Sequence, residues 1–305
     1  MNSNSLKTSF LGIPLKNPLI AASGVFGYGR EYTDLYSPSV LGGISVKGTT
    51  AAPHEGNPPP RIAETPSGML NAIGLQNPGA EAFVKNELPF LRELDLCVIA
   101  NVAASCLEAY AAVAEAVSVP GVDIIEVNIS CPNVKAGGIA FGTDPKLVKA
   151  VTQTVKSATA KPVMIKLSPN VTSITETAKA AEDGGADAVS LINTLIGMRI
   201  DLKTRRPIIK NNTGGLSGPA IFPVAVRMVS QVARAVKIPV CGMGGIASGK
   251  DLIEMMVAGA QCVQVGAAIC ANPLAPIDIL KEAEEWLDEN NIKNISEIVG
   301  TLELW

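Results

Sequence analysis

The sequence predicts an α/β protein: a single (β/α)8 TIM barrel with long loop insertions on its C-terminal face. Three observations predict it. Eight short apolar runs recur along the 305 residues, alternating with longer segments of helical periodicity. Each run is apolar nearly throughout, the pattern of a parallel strand buried on both faces. No G-x-G-x-x-G follows the first run, where a doubly wound dinucleotide fold would carry it. Ala22-Ser23-Gly24-Val25-Phe26-Gly27 stands there instead.

In chain order the strands are expected at Leu19–Ala22, Gly43–Val46, Leu96–Val102, Ile124–Ile129, Val163–Leu167, Ala188–Ile192, Val240–Gly242 and Cys262–Val265. Helix signals fill the intervals, giving eight strand–helix units. Asp144-Pro145 pairs an N-cap with proline at the first helical position, and Leu147, Val151 and Val155 share one face of the helix that follows. Ile221, Val224, Ala225, Met228, Val232 and Val236 keep the same spacing later. Ser248 with Asp251 has the spacing of a capping box, and Asn272-Pro273 opens the last long helix. Three connections from strand to helix are long, roughly Lys47–Gly79, Cys131–Thr143 and Asn193–Pro219. In a barrel they fall on the C-terminal face, where active sites sit. No linker or composition break divides the chain, so one domain over residues 1–305 is expected.

Composition narrows the function. The chain is 47% hydrophobic and 17% charged with net charge −3, enough for a large core. That balance gives no electrostatic reason to bind nucleic acid or an acidic membrane. No apolar run is long enough to span a bilayer, and Met1 to Phe10 is too polar for a secretion signal. A soluble cytoplasmic protein is expected. The six cysteines, Cys97, Cys106, Cys131, Cys241, Cys262 and Cys270, form no C-x-x-C pair. Most sit in apolar runs, so buried reduced thiols are expected, and a zinc or iron–sulfur site in this chain is not. The one histidine, His54, lies in a proline-rich loop and is expected at the surface. Histidine-based triads are thereby nearly excluded.

The residues that carry chemistry sit at strand ends. Asn128-Ile129-Ser130-Cys131-Pro132-Asn133 places two amides and a thiol where the fourth strand meets its loop. Amides can read a polar planar ring, and a thiol with an ordinary pKa of about 8.5 can act as a base. Asn71, Asn101 and Asn193 fall at other strand ends or in the long loops. Gly242-Met243-Gly244-Gly245 follows the seventh strand, Ser248 opens the next helix, and Gly266-Ala267-Ala268 follows the eighth strand. Loops at those two positions bind phosphate in many barrels, through glycine amides and a helix N-terminus. Lys47 ends the second strand and Lys166 lies inside the otherwise apolar fifth. A lysine buried there needs an anion, or serves as a Schiff-base amine.

Taken together, these residues resemble the class 1 dihydroorotate dehydrogenases, from about Leu11 to Pro273. The most specific stretches are Asn128–Asn133, Asn71-Ala72-Ile73-Gly74-Leu75, Asn193-Thr194 and Cys241–Gly245. The resemblance implies a TIM barrel that holds FMN and oxidises dihydroorotate to orotate in pyrimidine synthesis. A cysteine is the base in class 1. Class 2 uses serine and carries an N-terminal membrane extension, which is not expected here. Asn133–Gly138 and Gly74–Gly79 look like subclass 1B. That subclass reduces NAD through a second subunit carrying FAD and an iron–sulfur cluster, with a homodimer of catalytic chains inside a heterotetramer. By position, the resemblance assigns FMN to Ser23, Lys47, Gly48, Asn101, Asn128, Lys166, Ile192, Gly218, Gly244, Gly245, Gly266 and Ala267. It assigns the substrate to Lys47, Asn71, Ala72, Ile73, Gly74, Leu75, Asn128, Asn193 and Thr194, and the base to Cys131. Ala267 stands where many relatives have threonine; a backbone amide remains there. Three alternatives stay open: a class 1A enzyme reducing fumarate, a Schiff-base aldolase using Lys166, and a silent scaffold subunit that binds neither flavin nor orotate.

Overall fold

Residues 5–130 and 138–305 are described by the computed structural model. Eight parallel strands close into a barrel: β1 (Leu19–Ala21), β2 (Gly43–Ser45), β3 (Cys97–Val102), β4 (Ile124–Asn128), β5 (Val163–Lys166), β6 (Ala188–Leu191), β7 (Val240–Met243) and β8 (Cys262–Val265). Each neighbours the next around the ring, and β8 pairs with β1. All eight lie within one residue of the expected ranges at either end. The apolar runs are legible because helices cover the outside and side chains fill the inside.

Alternation by two residues sorts the barrel interior into layers. The lowest is apolar: Ile20, Cys97, Ile99, Ile124, Met164, Ala188, Cys241 and Cys262, closed from below by Phe10 and Leu15. Those two come from a hairpin, Thr8–Phe10 with Ile13–Leu15, that the sequence reading did not anticipate. The middle layer is polar and buried, with Ser45, Asn101, Glu126, Lys166, Ser190 and Gln264. Above it the strands open into their C-terminal loops.

The helices follow their caps. Asp144 accepts a hydrogen bond from the Lys146 amide and starts the helix Pro145–Ala158. The buried face of that helix is Val148, Val151, Thr152 and Val155, so Leu147 belongs to its flank. The Ser248–Asp251 capping box forms as expected at Gly249–Val257. Phe222–Ala233 buries Ala225, Met228, Val229 and Val232. The first connection departs from the strand–helix rule. Between β1 and β2 lie only two 3-10 turns, Arg30–Tyr32 and Pro38–Val40, in a stretch broken by glycines and proline. Cys97, Cys241 and Cys262 are buried, but Cys106 and Cys270 are exposed, which corrects the expectation of uniform burial. His54 is exposed, and its Nδ1 accepts from the Gly56 amide.

Two of the long connections are ordered into a lid. Ile62–Thr65, Gly68–Asn71, Leu195–Gly197 and Gly214–Ser217 form a four-stranded antiparallel sheet over the mouth. Gly215 permits the closest approach in it, since a Cβ there would stand 2.0 Å from Thr194 Oγ1. The lid joins chain from the second and sixth units and sets Asn71 opposite Gly215. Among the described residues no helix is long and apolar enough to cross a membrane.

Candidate active site in the barrel mouth

A cavity of about 300 Å³ lies between the C-terminal strand ends and the lid. Of the residues assigned above, Ser23, Lys47, Gly48, Asn71, Ile73, Gly74, Leu75, Asn128, Lys166, Ile192, Asn193, Thr194, Gly218, Gly244, Gly245, Gly266 and Ala267 all line it. Ala72 does not; it is fully buried, and its carbonyl accepts from Asn57 Nδ2. Asn101 does not line it either; it lies in the buried layer below, and a Cβ on Gly48 would stand 3.1 Å from its Oδ1. Cys131 and Asn133 lie outside the described residues. Met69, Ser217, Met243, Gln264 and Cys270 also line the cavity and escaped the sequence reading. Their positions next to assigned residues on the same strands and loops were the available signal.

The amides at the mouth are held in order. Asn128 Oδ1 accepts from the Ser130 amide at 3.2 Å and from Ser130 Oγ at 3.1 Å. Asn193 Nδ2 donates to Ser130 Oγ at 2.7 Å, while its Oδ1 accepts from the Thr194 amide at 2.7 Å. Tyr110 donates from its hydroxyl to the Asn128 carbonyl at 2.8 Å, so β4 is pinned from outside as well. With the Asn128 oxygen taken, its amide nitrogen is the group left to donate to a ligand. Lys47 reaches the Gly24 carbonyl at 3.3 Å. Burial, and then the neighbouring Arg61 guanidinium, lower its pKa. An anionic ligand group would relieve both penalties.

Beneath the cavity sits a buried polar cluster. Glu126 is wholly buried inside the barrel. Its Oε2 accepts from Ser45 Oγ and Asn101 Nδ2, each at 2.6 Å, and its Oε1 from Ser190 Oγ and Gln264 Nε2, each at 2.7 Å. Burial alone would raise the carboxyl pKa. Attraction to Lys166 and the hydrogen bonds from Ser45, Ser190 and Asn101 outweigh it and hold the group below the ordinary carboxylate range. Glu126 was missed at the sequence level. The signal was the one that marked Lys166, a charge inside an apolar strand.

On the opposite side, the loops after β7 and β8 meet. The N-terminus of Gly249–Val257 is already occupied: Asp251 accepts from the amides of Ala247 and Ser248, and Glu282 from Gly249. The amides of Gly244, Gly245 and Ala267 have no partner among the described residues. Two loop amides, together with the first amide of the short helix Ala267–Ala271, are therefore available to an anion such as phosphate. Gly245 has φ +83°, and a Cβ there would meet Gly218 O, Phe222 Cβ and Phe222 N at 2.8 Å. Gly245→Ala is therefore expected to cost about 1–3 kcal/mol through strain and to distort the loop. Denaturant melts of the variant check the first effect, and phosphate-ligand affinity the second.

The residues fit a flavin nucleotide on two structural grounds. Gln264 lines the cavity, and its Oε1 is buried without a hydrogen-bond partner, the acceptor a ring N–H would satisfy. The amides of Gly244, Gly245 and Ala267 are open to donate to a phosphate group. Among the described residues no group of histidine, cysteine and carboxylate side chains could hold a metal.

Fold and site together define a (β/α)8 protein with a lysine- and asparagine-lined ligand cavity at its C-terminal mouth. A family model described as dihydroorotate dehydrogenase matches residues 5–287. The chain is 56% identical over 298 residues to the dihydroorotate dehydrogenase B (NAD(+)) catalytic subunit of Bacillus mycoides, covering 97% of this chain and 96% of that protein. It is 53% identical over 300 residues to the protein of the same description from Thermoanaerobacter pseudethanolicus, covering 98% and 99%. The counterpart from Alkaliphilus oremlandii is 53% identical over 302 residues, covering 99% and 100%. This chain belongs to the dihydroorotate dehydrogenase family.

Proposed function

We propose that this chain is the catalytic subunit of a class 1B enzyme that oxidises dihydroorotate to orotate and passes the electrons to NAD through a second subunit. The observation that carries the reading is the convergence of Lys47, Lys166, Asn71, Asn128, Asn193 and Thr194 on one cavity, in a chain so close to relatives named for that activity. FMN, when bound, supplies the hydride acceptor. Lys166 provides positive charge beside the ring system, and the amides of Gly244, Gly245 and Ala267 hold the phosphate. Lys47 meets the substrate carboxylate. Asn71, Asn128, Asn193 and Thr194 orient the pyrimidine ring against the segment Ala72–Leu75. Cys131 takes a ring proton and the hydride passes to the flavin, so the substrate gives up two hydrogens, one as a proton and one as a hydride that carries both electrons. Cys131 directly follows Ser130, the residue that ties Asn128 to Asn193.

The partner subunit of this reading carries FAD and an iron–sulfur cluster and delivers both electrons to NAD. Two copies of this chain pair inside a heterotetramer. Exposed Ile196, Met198, Ile200 and Leu202 on the connection after β6 supply apolar surface of the kind a subunit contact uses.

The test is preparative. The purified chain is expected to be yellow, with one FMN per chain, and to reduce dyes with dihydroorotate but NAD only slowly. Adding the partner subunit is expected to restore NAD reduction. A folded chain that takes up no flavin would sink the reading. Fast fumarate reduction by the chain alone would move it to class 1A.

A further inference from the structure

We propose that Glu126 is a positioning residue: one buried carboxylate faces the Lys166 ammonium from the adjacent strand and fixes the amides of Asn101 and Gln264 beneath the cavity. The inference rests on the flavin reading above and concerns how the floor acts on that ring. Glu126 and Lys166 are inward-facing residues of adjacent strands, with Asn128 beside Lys166 in the ladder. A carboxylate can only accept hydrogen bonds. Each amide must therefore turn its nitrogen to Glu126, which leaves the Asn101 and Gln264 oxygens as the unpartnered acceptors. Gln264 lines the cavity, so its orientation is set from below the site.

The charge matters as much as the shape. Among the described residues, the charged side chains lining the cavity are Lys47 and Lys166, with Arg61 near Lys47. The thiols of Cys241 and Cys262 lie in the apolar layer beneath, and burial raises the Cys262 thiol far above its usual range. Among the described residues, Glu126 is thus the buried carboxylate on the strand beside Lys166. A buried ammonium stripped of its counter-charge gives up its proton more readily. Flavin gains negative charge on reduction, and Lys166 favours that state only while protonated. The carboxylate therefore acts on the cofactor through Lys166, without touching it.

The experiment titrates oxidised and reduced FMN into the apo forms of wild type, Glu126→Gln, Glu126→Asp, Lys166→Met and Glu126→Gln/Lys166→Met between pH 6 and 9. Circular dichroism confirms each fold. The readout is the preference for reduced over oxidised flavin. In Glu126→Gln this preference is expected to fall with rising pH by about tenfold or more beyond any change in wild type, one pH unit of lysine titration being a factor of ten. Glu126→Asp keeps the charge and is expected to follow the wild-type profile, even at weaker affinity. In the Lys166→Met background, Glu126→Gln is expected to add no pH-dependent loss, which also separates any titration of Lys47. A Glu126→Gln profile parallel to wild type would overturn the proposal, as would a loss undiminished in the double variant. Should Glu126→Gln not fold, an Asp variant that departs from the wild-type profile overturns it equally. Wild type that binds no FMN defeats the flavin reading, and this inference with it.

Discussion

Cys131→Ala is expected to lower dihydroorotate oxidation by ~10²–10⁴-fold while FMN and orotate still bind, since a general base contributes about that much to rate and nothing to the ligand cradle. Lys47, Asn71, Asn128 and Asn193, to which the proposal assigns binding, line the cavity at other positions. Cys131→Ser is expected to retain part of the activity with a pH profile displaced upward, because a hydroxyl gives up its proton less readily than a thiol. Stopped-flow reduction of the flavin by dihydroorotate isolates the step from electron exit. Wild-type reduction in the alanine variant would remove Cys131 from the mechanism. A loss confined to NAD turnover, with flavin reduction intact, would place the defect at the partner instead.

The barrel was legible because its physics is local. A strand buried on both faces needs a largely apolar run, and each of the eight shows one, such as Val163-Met164-Ile165 and Cys262-Val263. The lid was not legible for the opposite reason. Ile62–Thr65 alternates between exposed and half-buried residues, and Gly214–Ser217 is glycine-rich. Their pairing is long-range: Met69 faces Ser217, and Leu70 faces Leu216. No window of sequence contains both halves of such a contact. The first connection misled for a related reason, since strand alternation implied a helix where glycines and proline leave only 3-10 turns.

The cavity was more legible than the lid above it. A barrel fixes where strand C-termini point, so the polar residues at those ends could be gathered without knowing any distance. Asn128, Asn193 and Lys47 follow that rule and line the cavity. Asn101 obeys it only in part: it sits one layer too deep, fully buried and bonded to Glu126. Ala72 shows the limit of carrying over a contiguous stretch, because neighbours in an extended segment face opposite ways. Glu126 itself draws its partners Ser45, Asn101, Ser190 and Gln264 from four other strands. Nothing in their spacing announces a cluster; only barrel closure assembles it.

That assembly predicts a large stability effect at Glu126. Glu126→Ala leaves the donors of Ser45, Asn101, Ser190 and Gln264 without their acceptor and Lys166 without its counter-charge, all in a site closed to bulk water. Leaving a single buried donor without its acceptor costs about 1–3 kcal/mol, and four lose theirs at once. Against a usual total of about 5–15 kcal/mol, that is a large share. The loss has a defined pH dependence. The folded-state pKa of Glu126 lies below the ordinary value. Its contribution is therefore complete above the unfolded carboxyl pKa of about 4.3 and is lost as pH falls through the lower folded value. Denaturant melts of wild type and Glu126→Ala are expected to differ by a constant amount from neutral pH down to about 5, and to converge in stronger acid as wild type loses the carboxylate. Equal midpoints at neutral pH would show that the polar floor carries no stability. A gap that widens in acid would show that Glu126 is protonated in the folded barrel, and that the Lys166 charge is balanced by some other group.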